Sequence, residues 1–126
     1  VHDKPIVAGQ ALAHAATLPV HAIRDAHTKA GVPSVVSNSA GTYLCNATLY
    51  QFLHECELRA LSCQCGFIHV PFEPAQVAAT LSGAGDGASG GGPLQDCVPS
   101  MHIETMTEGV RIALTTIVEH QHAEKH

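Results

Sequence analysis

The sequence predicts an α/β fold built on a mainly parallel sheet that is incomplete in this chain. Helical and extended patterns alternate, an order that places parallel strands in one layer with helices on the faces. The chain has 126 residues, which fits one domain, and 45% of them are hydrophobic, enough for a core. Only two segments have a strand pattern, so we expect only part of a sheet.

The first half of the chain contains a helix, a strand and a second helix. Apolar side chains share one helical face from residue 20 to 30, and Gly31 and Pro33 then end the helix. A β-branched run at 34–38 predicts a buried strand. A second helix is expected from about Thr42 to Cys56. Its core candidates are Leu44, Leu49, Phe52 and Leu53.

The second half of the chain repeats the alternation. Residues 65–70 predict a second buried strand that ends at Pro71, and Pro74 opens a short helix through Leu81. The last helix is expected from about His102 to His120. Its apolar positions are Ile103, Met106, Val110, Ala113, Leu114 and Ile117. We assign 1–126 to the C-terminal portion of a single domain, with a flexible glycine-rich loop at 82–96 and a frayed tail at 120–126.

Charge and composition exclude several classes of partner. The formal net charge is −5 with neutral histidines, which argues against nucleic acid or an anionic membrane as a partner. No apolar run approaches the roughly 20 residues that a membrane span needs. The five cysteines are an odd number, and the start has no signal-peptide form. We therefore expect a cytoplasmic protein.

Cys45 and His69 are the residues with the strongest chemical potential. Cys45 lies in the first turn of a predicted helix, where free N–H groups and the helix dipole favour a thiolate and can bind an oxyanion. His69 lies near the carboxyl end of a predicted strand, the edge where parallel sheets form their sites. Together they predict a thiol nucleophile and its base. The alternative is a buried structural cysteine and a structural histidine.

Other motifs favour no competing chemistry. Cys63 and Cys65 lack a second pair at zinc-ligand spacing, and the histidines of the tail are interpreted as a solvated end, so no metal site is predicted. Ser39 lacks the glycine that a serine nucleophile elbow has two residues earlier. The glycine-rich segment lacks the lysine that ends a phosphate-binding loop.

Two motifs carry a resemblance to a known family. Residues 37–46, with the sequence SNSAGTYLCN, closely resemble the nucleophile motif of pyroglutamyl peptidase I, and residues 66–71, GFIHVP, resemble its histidine motif. Cys45 and His69 are 24 residues apart, which is the spacing of that family. Flanking matches extend the resemblance from about Gly9 to Val118.

The resemblance implies a fold, an activity and site residues. The family is a three-layer α/β/α sandwich, usually cytoplasmic and oligomeric, so a homo-oligomer is expected. Its members are cysteine exopeptidases that remove N-terminal pyroglutamate from peptides without metal or cofactor. By this resemblance Cys45 is the nucleophile and His69 the general base, while Tyr43 and Leu44 line the lactam pocket.

One departure from the family pattern is large. The catalytic glutamate of the family lies upstream of the matched region, and no carboxylate of this chain matches it. Loss of the carboxylate that orients a catalytic histidine costs several orders of magnitude in rate. We therefore expect this segment alone to be inactive. A truncated, non-catalytic relative or an inactive fragment is the alternative function.

Overall fold

The computed structural model describes residues 5–82 and 99–123. In these ranges it contains four helices, namely α1 (Val20–Lys29), α2 (Leu44–Leu58), α3 (Pro74–Leu81) and α4 (Ile103–Ala123). The four helices expected from the sequence are therefore confirmed, and their ends differ by three residues at most. Within the described ranges, no helix combines the length and apolar character needed to cross a bilayer.

Two expected mobile regions fall largely or partly outside this description. The glycine-rich loop expected at 82–96 lies outside the described residues except for Ser82. Of the frayed tail expected at 120–126, residues 120–123 form the last turn of α4. His120 and His122 lie in that turn, where the helix carbonyls interact favourably with imidazole groups. Residues 124–126 are outside the description.

The core lies between α1 and α4, which alone among the four described helices pack closely against each other. Ile23 of α1 and Met106 and Ala113 of α4 are buried, and Ala113 has no exposed surface. The buried His27 makes a 2.8 Å hydrogen bond with the carbonyl oxygen of Gly109. Because a carbonyl only accepts, Nε2 of His27 must be the donor. This bond ties the two helices together at the centre of their contact.

The absence of a side chain at Gly109 allows this close approach. A Cβ there would meet Val32 Cγ1 at 3.3 Å and His27 Nε2 at 3.8 Å. Val32 is itself buried, so it has little room to move away. The helix pair is thus close-packed at Gly109, despite the poor helix propensity of glycine.

The expected strands at 34–38 and 65–70 are not found as strands. Among the described residues, the only bridge is an isolated parallel one between Phe72 and Ser100, beside a 2.9 Å bond from Met101 N–H to the Phe72 carbonyl. A strand is defined by ladder bonds to a neighbour, and neither segment pairs with the other. The three-layer sandwich is therefore not confirmed by the described residues.

Many large apolar side chains are exposed, including several that were expected in the core. Leu53 is buried as expected, but Leu44 and Phe52 are 64% and 62% exposed. The expectations for Leu44 and Phe52 were wrong because helical spacing identifies an apolar face but not whether another element covers it. In α4, the apolar residues Ile103, Val110 and Leu114 are exposed as well. The described part of the chain covers one face of α4, the one that meets α1.

Helices α1 and α2 end with the same backbone motif. In α1 the N–H groups of Gly31 and Val32 bond the carbonyls of Thr28 and His27. In α2 the N–H groups of Ala60 and Leu61 bond those of Glu57 and Cys56. This is the Schellman arrangement, which needs a left-handed residue just after the helix. That residue is glycine in α1, with φ +74°, but alanine in α2, with φ +50°.

Replacing Ala60 with glycine is therefore expected to stabilise the protein by about 1 kcal/mol, since an alanine pays a steric cost in the left-handed region that glycine does not. Urea unfolding followed by circular dichroism measures the change. The matched control is Gly31→Ala, which is expected to destabilise the protein by a similar amount. No neighbouring atom lies within 4 Å of a Cβ built there, so the left-handed backbone conformation accounts for the whole cost. A loss of stability in Ala60→Gly would contradict the interpretation.

Candidate active site at the start of α2

The loop that precedes α2 is ordered by two serine side chains. Ser37 Oγ donates to the Ser39 carbonyl at 2.7 Å and accepts from the Ser39 N–H at 3.2 Å. Ser39 Oγ accepts from the Gly41 N–H at 3.1 Å. Gly41 has φ +88°, a conformation that favours glycine. These local bonds set the direction in which the chain enters α2.

Cys45 is the second residue of α2 and is half-buried. The first N–H groups of a helix have no partner inside the helix, and they create a positive potential at its start. The first turn of α2 contains no acidic residue that would oppose this potential. A thiolate at Cys45, or an oxyanion formed next to it, would therefore lie in a favourable field. The expected location of Cys45 in the first helical turn is confirmed.

Tyr43 and Leu44 present open surface beside this thiol. Tyr43 is the N-cap residue of α2 and is 80% exposed, and Leu44 is the first helical residue. No side-chain cap bond closes the start of the helix at Tyr43. Both side chains are therefore accessible to a bound molecule, next to the residue with the nucleophilic group.

His69 lies in the extended segment between α2 and α3 and is exposed. Its ring centroid is 6.3 Å from that of Phe67, with the ring planes tilted by 59°. Among the described residues, no hydrogen bond joins His69 to Cys45 or to a carboxylate. Catalytic hydrogen bonds are often long or poorly aligned before substrate binds, so His69 stays the predicted base.

A second polar cluster was not predicted from the sequence. His14 Nδ1 lies 3.0 Å from Glu57 Oε2, and the His14 ring is 4.8 Å from Tyr50 and 5.7 Å from His54. Tyr50 donates to the Ala11 carbonyl at 2.6 Å. The spacing of Tyr50 and His54 could have placed these two on one face of α2. No pattern in the irregular N-terminal segment indicated that His14 would join them.

This cluster borders a cavity of about 540 Å³ whose lining includes His14, Leu53, Glu57 and Cys63 but neither Cys45 nor His69. The described residues contain no group of three His, Cys, Asp or Glu side chains arranged to hold a metal ion. The cavity and the predicted nucleophile therefore belong to different parts of α2, its C-terminal end and its N-terminal end respectively.

Solved structures with the same chain path are peptidases. The crystal structure of Pf-PCP(1-204)-C matches with a TM-score of 0.83 at 32% identity, over 100% of this chain and 54% of that one. Pyrrolidone carboxyl peptidase from Pyrococcus furiosus matches with a TM-score of 0.80 at 33% identity, over 95% of this chain and 52% of that one. These neighbours belong to the class of pyrrolidone carboxyl peptidases, and this chain is similar to about half of each of them.

The sequence comparisons identify the family within that class. The family model for pyroglutamyl peptidase matches residues 1–120, so the chain belongs to the pyroglutamyl peptidase family. Curated relatives include the pyrrolidone-carboxylate peptidase of Thermococcus kodakarensis, 38% identical over 93% of this chain and 49% of that protein. Pyrrolidone-carboxylate peptidase 1 of Ralstonia nicotianae is 40% identical over 94% of this chain and 48% of that protein.

The chain spans about half the length of the curated relatives that it matches. The resemblance carried by residues 37–46 and 66–71 is confirmed by these relatives. The individual functions of Cys45, His69, Tyr43 and Leu44 remain predictions.

Proposed function

We propose that the intact protein is a cysteine exopeptidase that removes N-terminal pyroglutamate from peptides. The observation that carries this proposal is the half-buried Cys45 in the first turn of α2, in a chain that belongs to the pyroglutamyl peptidase family. The relatives named pyrrolidone-carboxylate peptidase support the same substrate class.

In the proposed reaction the Cys45 thiolate attacks the pyroglutamyl carbonyl carbon. Unbonded N–H groups at the start of α2 stabilise the negative charge that develops on the carbonyl oxygen. The C–N bond of the peptide then breaks, which leaves a thioester between Cys45 and pyroglutamate. Water hydrolyses this thioester and releases free pyroglutamate and the free thiol.

We assign proton transfer to His69. It takes the thiol proton of Cys45, donates a proton to the leaving amine and later activates the attacking water. Its exposed position next to Phe67 leaves the imidazole accessible to substrate. Among the described residues, no carboxylate is bonded to the His69 ring. We therefore propose that a group outside the described residues orients this imidazole.

We assign recognition of the lactam ring to Tyr43 and Leu44. Their side chains are 80% and 64% exposed and directly precede Cys45 in the chain. An aromatic and an aliphatic side chain suit the apolar face of a five-membered lactam.

We also propose that 34–38 and 65–70 become paired strands of an α/β/α sandwich when the sheet is complete, and amide hydrogen exchange of the intact protein tests this.

Location and assembly are further parts of the proposal. A cytoplasmic location is supported by the four free cysteines of the described residues, and cell fractionation tests it. Self-association is supported by the exposed apolar side chains of Val110, Leu114 and Val118 on α4. Sedimentation of the intact protein tests the oligomeric state.

The assay that tests the function compares two fluorogenic substrates. The intact protein is expected to cleave pyroglutamyl-aminomethylcoumarin and to leave prolyl-aminomethylcoumarin uncleaved, because only the first has the lactam carbonyl. The 126-residue chain alone is expected to cleave neither, since it lacks a match to the family's glutamate. Equal rates on both substrates, or family-like activity of the chain alone, would refute this part of the proposal.

A further inference from the structure

Two thiols are close together at the end of α2 that is remote from Cys45. Cys56 Sγ and Cys63 Sγ are 3.1 Å apart, and both cysteines are free. Bonded sulfurs are about 2.05 Å apart, so a shift of about 1 Å separates this pair from a covalent link. The pair takes no part in the reaction proposed for Cys45.

The backbone motif after α2 explains why these two sulfurs meet. Cys56 is the residue whose carbonyl accepts the Leu61 N–H at 2.9 Å, and the Cys63 N–H bonds the Leu61 carbonyl at 2.9 Å. The left-handed Ala60 reverses the chain between them. Two successive turns thus return Cys63 to the last turn of α2, and the approach does not depend on a distant element.

Cys65 lies only two residues further along but is held elsewhere. Its N–H bonds Thr17 Oγ1 at 2.7 Å, and its carbonyl accepts the Thr17 N–H at 2.8 Å. Among the described contacts, no hydrogen bond joins its sulfur to Cys56 or Cys63. The structure therefore selects one pair from the three neighbouring thiols.

The thiol pair is accessible to a small reagent. Cys56 and Cys63 both line the cavity of about 540 Å³, and Cys63 is exposed. The hydrogen bond that the Cys63 thiol makes with Cys56 raises the pKa of Cys63, so Cys63 keeps its proton to higher pH than an isolated cysteine does.

We propose that Cys56 and Cys63 are a redox modification site that forms a reversible intrachain disulfide by exchange with a low-molecular-weight disulfide. The thiolate of one cysteine attacks a sulfur of the reagent, forms a mixed disulfide and releases one small thiol. The second cysteine then attacks the protein sulfur of that mixed disulfide and releases the other small thiol. Two electrons and the two thiol protons of the protein pass to the reagent, whose S–S bond is broken.

The disulfide would join the C-terminal end of the helix that begins with Cys45 to the segment that leads to His69. Cys45 and Cys56 are eleven residues apart on one helix, which is about 16 Å along its axis. Cys45 is therefore out of reach of a disulfide with either member of the pair. This inference does not depend on the proposed peptidase activity.

The test uses glutathione disulfide as the probe and mass spectrometry as the readout. The intact protein is incubated with it at neutral pH, free thiols are blocked with N-ethylmaleimide, and the protein is digested with trypsin and a glutamate-specific protease. Arg59 lies between the two cysteines, and Glu55 separates Cys45 from Cys56. A linked peptide pair, lighter by two hydrogen atoms than the separate peptides, therefore reports the disulfide without ambiguity about Cys45.

The expected result is that this linked pair predominates and forms at least about tenfold faster in the folded protein than in concentrated urea. In Cys65→Ser the link is retained, whereas in Cys63→Ser it is lost and Cys56 carries glutathione. Persistence of the link in Cys63→Ser, equal rates with and without urea, or only mixed disulfides in the wild-type protein would each overturn the proposal. The wild-type comparison decides the question even if a variant does not fold.

Discussion

Cys45→Ser is expected to lower cleavage of pyroglutamyl-aminomethylcoumarin by the intact protein by at least about 10³-fold. A serine hydroxyl is a much weaker nucleophile than a cysteine thiol at neutral pH, because the thiolate is the reactive form of cysteine and an alcohol ionises far less readily than a thiol. The Michaelis constant is expected to change little, because Tyr43 and Leu44 remain in place. Initial rates over a range of substrate concentrations separate the two parameters.

The matched control is Cys63→Ser, assayed in the presence of a reductant. Cys63 is an exposed thiol at the other end of α2 and is expected to be dispensable for the reaction. An irreversible thiol reagent should inactivate both the wild-type protein and this control, with Cys45 labelled as activity is lost. Wild-type activity in Cys45→Ser would remove Cys45 from the mechanism and leave the family assignment intact.

His27→Ala is expected to reduce the free energy of unfolding by about 2–3 kcal/mol. The substitution removes a buried hydrogen bond to the Gly109 carbonyl and leaves a cavity between α1 and α4. Urea unfolding followed by circular dichroism gives the free energy, provided that the slope of the transition is unchanged. The peptidase rate constant of the remaining folded protein is not expected to change.

Two further variants identify the cause of this loss. His21→Ala changes an exposed histidine of the same helix and should have little effect on stability. His27→Gln keeps a nitrogen donor at a similar reach and should recover part of the loss. An effect of His21→Ala as large as that of His27→Ala would show that the loss does not come from the contact with Gly109.

The sequence predicts the helices of this chain well because their signals are local. Pro74 opens α3 where expected, and Gly31 ends α1 through a left-handed conformation that glycine favours. The first-turn position of Cys45 follows from the same reasoning. Each of these features depends on residues within a few positions along the chain, so pattern alone is enough to find them.

Most of the features that the sequence predicted wrongly or missed depend on contacts between distant segments. Strands were predicted at 34–38 and 65–70 but are not formed. A strand needs a neighbouring strand to bond with, and the local sequence pattern does not reveal whether one is present. Leu44 and Phe52 were expected to be buried but are exposed, since burial depends on what covers a face. The contact of Cys63 with Cys56 follows from a left-handed alanine, and sequence gives only a weak signal for that conformation.

The packing of α1 against α4 also has a consequence for the order of folding. More than half of the chain lies between the end of α1 and the start of α4. Closing so long a loop costs conformational entropy before the contact of His27 with Gly109 contributes any stabilisation. We therefore expect α2 and its C-terminal turn to form early, and the α1–α4 core to form late. Substitutions in that core would then mainly accelerate unfolding, while refolding rates would change little.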